Sequence, residues 1–175
     1  MTLLAERTPL PATPLEVRLD DSGPDLSSHA VWFARTRGTE LSAADRCWPA
    51  YCRRMCCGAL DAWGLGELAD RVETAVAELA NNALEHGQGP IQVRVTRRTR
   101  AVCVAVVDQS VDSVHCAEAG PDDESGRGLF LVAAVSNCWG VTMHESEQWK
   151  RVWCLFWTDP ASTGAGVEPA DPGWD

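Results

Sequence analysis

The chain has 175 residues, of which 45% are hydrophobic and 23% charged. That is the profile of one globular domain with room for a short segment at either end. The formal net charge of −10 excludes non-specific nucleic-acid binding, which needs a basic surface to displace counterions from phosphates.

From the N-terminus, residues 1–27 contain four prolines and little periodicity, and read as a flexible leader with a possible short strand at Leu15–Leu19. Glu6 and Arg7 interrupt the apolar core that a signal peptide needs. No apolar run approaches the roughly 20 residues that span a bilayer. A cytoplasmic protein that uses no membrane is therefore expected. Ala30–Thr36 reads as a strand. A helix follows, with Ser42 as a plausible N-cap and apolar residues Cys52, Met55, Cys56, Ala59 and Trp63 at helical spacing. Pro49 either starts this helix or kinks it, and Gly64 and Gly66 end it.

The next helix is the clearest element. Leu68, Val72, Ala75, Val76, Leu79, Ala80, Ala83 and Leu84 mark one face, and His86-Gly87 stop it. Ile91, Val93 and Val95 then alternate with polar residues as in a half-buried strand. After a polar turn at Arg97–Arg100, Ala101–Val107 is apolar on both faces, which suits a central strand. Residues 109–125 lack periodicity and read as a functional or disordered loop. A short helix begins near Arg127, and Gly140–His144 with Lys150–Trp157 form a hairpin. Residues 158–175, rich in Gly, Pro and Ala, read as a disordered tail. The folded domain should span 28–157. The order β, α, α, β, β, α, β, β predicts an α/β two-layer sandwich, with helices on one face of a mixed, mostly antiparallel sheet.

The eight cysteines lack the CxxC and nearby His of a zinc site, so they read as small buried apolar residues. Glu78 and Asn82 lie one helical turn apart beside the apolar stripe, where a carboxylate and an amide oxygen suit a hard cation, or simply meet water at the helix edge. Asp108 ends the most apolar strand, at the mouth of a crevice. Glu124-Ser125-Gly126-Arg127-Gly128-Leu129 is a glycine turn leading into a helix, whose unpaired N–H groups favour phosphate. It has neither the GK[ST] of a P-loop nor a Rossmann spacing.

Taken in order, these motifs resemble a known family. Glu78-Leu-Ala-Asn-Asn82-Ala83-Leu-Glu-His86-Gly87 is similar to the N-box of the Bergerat, or GHKL, ATPases. With Trp63-Gly64-Leu65, Val107-Asp108, Glu124–Leu129, Trp139-Gly140 and Lys150–Trp153, the chain resembles the small stand-alone branch of that superfamily. This branch holds the anti-sigma-factor serine/threonine kinases and actinobacterial regulatory ATP-binding proteins. The resemblance covers most of 28–157 and implies the histidine-kinase-like ATPase fold.

The resemblance implies ATP and Mg²⁺ as cofactors, with Asn82 as the Mg²⁺ ligand and Glu78 as the general base. Asp108 would accept from the adenine amino group. Gly126, Arg127 and Gly128 would cradle phosphates beneath a lid of residues 110–125, and His86 and Leu129 complete the nucleotide-site motifs. The implied partners are a sigma factor and a small antagonist protein that is phosphorylated, with a homodimer as a family expectation. Two motifs depart from the pattern. The adenine motif, usually Asp-x-Gly, reads Asp108-Gln109-Ser110. The final Gly-Lys-Thr-Val-Trp reads Trp149-Lys150-Arg151-Val152-Trp153, replacing a Thr that commonly lines the adenine pocket. The alternative is therefore a GHKL-fold protein-binding module with weak or no nucleotide binding. Trp149, placed in the hairpin turn, is a candidate exposed anchor for a partner.

Overall fold

A computed structural model describes residues 25–35, 39–110, 127–144 and 149–159. The first strand, β1 (Asp25–Arg35), starts inside the segment read as leader. A 3-10 turn at Asp45–Cys47 precedes α1 (Trp48–Trp63). Ser42 does cap, but it caps this turn: its hydroxyl accepts from Asp45 N–H at 3.2 Å, and Asp45 Oδ2 accepts from Ser42 N–H at 2.8 Å. Pro49 sits in the first turn of α1, where its missing N–H costs nothing, so the helix starts there without a kink. Gly64 ends α1 in the left-handed region, with φ 70°.

A second 3-10 turn leads into α2 (Ala69–His86). Its buried residues, Val72, Ala75, Val76, Leu79, Ala80, Ala83 and Leu84, are the stripe expected from the sequence. Gly87 closes α2, as the sequence indicates. Its backbone is extended, with φ −71° and ψ 163°, rather than left-handed. Glycine is needed there for space, because a Cβ would collide with the Ala83 carbonyl.

The remaining elements are β2 (Gly89–Arg98), β3 (Ala101–Asp108), α3 (Arg127–Val135), β4 (Cys138–His144) and β5 (Trp149–Trp157). The sheet order is β1-β2-β3-β5-β4, and every neighbouring pair is antiparallel. β3 is central, as its two apolar faces required. Val102, Val104 and Val106 join the main core beneath the helices. Ala101, Cys103 and Ala105 join a smaller cluster with Cys138, Trp153 and Leu155 on the opposite face. Trp149 is the first residue of β5, paired with His144, and is half-buried with the Arg151 guanidinium 4.8 Å from its ring. It is a strand residue rather than the tip of a turn.

Cys52, Cys56, Cys103, Cys138 and Cys154 are buried. Burial pushes the Cys52, Cys103 and Cys138 thiols up to about 12, which keeps them protonated apolar groups at neutral pH. Among the described residues no group of His, Cys, Asp and Glu has the arrangement of a metal site. No described helix is long and apolar enough to cross a membrane.

The end of α3 is tied to α2 by Arg71. Its Nε donates to Val135 O at 2.8 Å and its Nη2 to Asn137 Oδ1 at 3.0 Å. The same Asn137 oxygen accepts from Trp157 N–H at 3.0 Å. The guanidinium lies 5.4 Å from the Phe156 ring centroid. Arg71 thus joins α2, α3 and β5, and nothing in the periodicity marked it. Arg71→Ala is expected to lower stability by about 2 kcal/mol, because a helix-end carbonyl and a half-buried amide each lose a charged donor. A urea unfolding midpoint measures it; an unchanged midpoint refutes the tie.

Candidate functional site

The amphipathic stripe of α2 lies on the sheet, which turns the flanking positions along the helix edge. Glu78 and Asn82 occupy that edge and are both half-buried. Helix α3 approaches them at its N-terminus. A Cβ on Gly128 would lie 2.8 Å from Glu78 Oε2, 3.3 Å from Asn82 Nδ2 and 3.4 Å from Asn82 Oδ1. The glycine turn and the carboxylate–amide pair, far apart in sequence, thus form one locus.

This arrangement suits a metal-bound polyphosphate. Carboxylate and amide oxygens are hard donors for Mg²⁺. The first turn of α3 carries backbone N–H groups without helical partners. A side chain at 128 would fill the space where such a group approaches, and glycine leaves it open. Arg127 begins α3, as expected. Gly126 and the expected lid, residues 110–125 apart from Ser110, lie outside the described residues. Leu129 is 8% exposed and packs in the main core. Its side chain anchors α3, so only its backbone is available to a ligand. His86 ends α2 in an exposed position, 3.8 Å from Glu85.

The second part of the site lies at the end of β3. The helix-facing row of the sheet continues to Asp108, which is opposite Lys150 of β5 in the register. This end of the sheet also holds the start of β2 and the end of α2, joined by Gln109 N–H donating to Gln88 O at 2.9 Å. Asp108 Oδ1 accepts from Ser110 N–H at 2.6 Å, and Asp108 Oδ2 lies 3.6 Å from Lys150 Nζ. Lys150 Nζ donates to Ser110 Oγ at 2.5 Å. Asp108, Ser110 and Lys150 are 3%, 0% and 7% exposed. The Asp108 carboxylate is therefore held by a cation and an N–H rather than left open.

Arg151 is placed differently from expectation. Lys150, Val152, Cys154 and Phe156 face the helices, so strand alternation puts Arg151 on the other face, opposite Val107 and Thr142. The Thr-to-Arg departure therefore projects away from the Asp108 side of the sheet. Sequence reasoning gave Lys150 no role of its own. Only the β3–β5 register reveals it as the partner of Asp108.

Fold and locus together define a two-layer α/β nucleotide-site architecture, with a carboxylate–amide helix beneath a glycine-led helix and an acidic strand end. The sequence model of the histidine kinase-like ATPase domain matches residues 41–153. The chain belongs to that family, within the GHKL superfamily. No curated protein matches the chain.

Proposed function

We propose that this protein binds ATP with Mg²⁺ in the cytoplasm and acts as a regulatory switch of the anti-sigma-factor kinase type. The observation that carries the reading is the approach of Gly128 to Glu78 and Asn82. In this reading Asn82 would hold the Mg²⁺, which would neutralise phosphate charge, and the N-terminus of α3 would receive the phosphates. Glu78, beside both, orients or deprotonates the attacking hydroxyl of a small antagonist protein. Phosphoryl transfer is largely positioning and charge neutralisation, so these groups supply what it needs. The sigma-factor partner, the antagonist and the homodimer rest on the resemblance to the small stand-alone branch.

Titration of the full chain with Mg–ATP tests occupancy. Asn82→Ala is expected to weaken binding by about 100-fold, the upper end of the losses at metal sites whose supporting shell is broken. Equal affinity in the two proteins would remove Asn82 from the site. Transfer from radiolabelled ATP to the antagonist, abolished by Glu78→Ala, would test the kinase step.

A second reading has a specific observation behind it. Lys150 and Ser110 already occupy Asp108, as in a fold kept for protein binding with its base pocket closed. Absence of wild-type Mg–ATP binding would favour it.

A further inference from the structure

Among the described residues the ammonium of Lys150 meets a single hydrogen-bond acceptor. It is 7% exposed, faces the helix side of the sheet, and adjoins Asp108. An ammonium has three donors. Among the described residues one goes to Ser110 Oγ. The 3.6 Å separation from Asp108 Oδ2 is an ion pair, longer than an N–H···O hydrogen bond. Buried donors are ordinarily matched to acceptors, and unmatched ones are costly. Lys150 balances the charge of the buried Asp108, whose other oxygen accepts from the Ser110 N–H.

We infer that Lys150 is a base-reading residue that donates to ring atom N1 of adenine while Asp108 Oδ2 accepts from the neighbouring 6-amino group. This rests on the ATP-binding reading above. The two side chains present an acceptor beside a donor, which complements the amino–N1 edge of the base. Ser110 fixes the ammonium: its hydroxyl holds Lys150 Nζ, and its N–H holds the other oxygen of Asp108. A glycine at position 110 would supply the N–H without the hydroxyl. In this chain the serine therefore converts a single carboxylate contact into a two-point reader. Discrimination comes from unpaired groups: a base with no acceptor at ring position 1 leaves the buried ammonium unmatched.

The test compares three ligands, each with Mg²⁺, by calorimetric titration of the full chain. They are ATP, 1-deaza-ATP (C–H in place of N1) and purine riboside triphosphate, which lacks the 6-amino group. Wild type is expected to bind 1-deaza-ATP about tenfold more weakly than ATP, the usual size of a hydrogen bond to a charged donor. Lys150→Met is expected to bring that ratio close to one while keeping the penalty for purine riboside triphosphate, which belongs to Asp108. A merely structural lysine would weaken all three ligands alike. If Lys150→Met does not fold, Lys150→Arg keeps the cation but moves the donors, and the ATP to 1-deaza-ATP ratio must change. A wild-type ratio near one, or a ratio untouched by either substitution, overturns the inference and leaves ATP binding intact. No wild-type binding of ATP overturns the ATP-binding reading and this inference together.

Discussion

Asp108→Ala is expected to cost about 3 kcal/mol of folding stability, because removing one member of a buried ion pair leaves the other charge uncompensated. Lys150 would be that charge. It is almost fully buried, and among the described residues it would retain only the Ser110 hydroxyl. The Ser110 N–H, now bonded to Asp108 Oδ1 at 2.6 Å, would also lose its acceptor at a position with no exposure. A companion variant separates charge from shape. Asp108→Leu combined with Lys150→Met removes both charges, and replacing a buried pair by apolar groups is often neutral or stabilising. The double variant should therefore recover most of the loss while binding no nucleotide. Urea unfolding curves for the two variants measure this. A double variant as unstable as Asp108→Ala would show that packing, rather than the stranded charge, sets the cost.

Gly128→Ala should have the opposite profile, with stability kept and function lost. Alanine is favoured over glycine inside a helix by about 1 kcal/mol, which offsets part of any crowding. The added Cβ would sit 2.8 Å from Glu78 Oε2. That oxygen is the free end of a flexible side chain, so it can swing aside cheaply. Having moved, it no longer holds its place beside Asn82, whose amide atoms lie at 3.3 and 3.4 Å from the same Cβ. Misplacement of about 1 Å in a site of this kind costs about 100-fold in rate. Mg–ATP affinity and any phosphotransfer should fall while the thermal midpoint stays level or rises. Unchanged affinity would mean that the α2–α3 approach is packing only.

The elements were legible because their periods are strong. The stripe of α2, the two-faced apolar run of β3 and the alternation of Ile91, Val93 and Val95 in β2 each state what is buried, since the hydrophobic effect selects the side and the backbone supplies the period. Glu78, Asn82, Asp108 and the glycine turn were legible as motifs in order. Their ends were less so. β1 starts at Asp25 because ladder pairing with Arg98 extends it, and that pairing leaves no mark in local composition. Gly87 was legible as the stop of α2, but its need for a close approach to a carbonyl is defined only by the packed helix end. Trp149 was placed in a turn because five polar residues precede it, whereas its cross-strand partner His144 brings it into the ladder.

By itself, then, the amino-acid sequence determined the α/β order, the helix face that is buried and the candidate residues for the proposed phosphate site, because each depends on neighbours within one or two turns of chain. Tertiary structure alone decided which of those residues meet. It set Gly128 against Glu78 and Asn82, sent Arg151 to the far face of the sheet, and put Lys150 opposite Asp108. The physical reason is register. A slip of one residue in the β3–β5 ladder would exchange Lys150 and Arg151 between faces, and that register is set by the packing of the whole sheet against its helices.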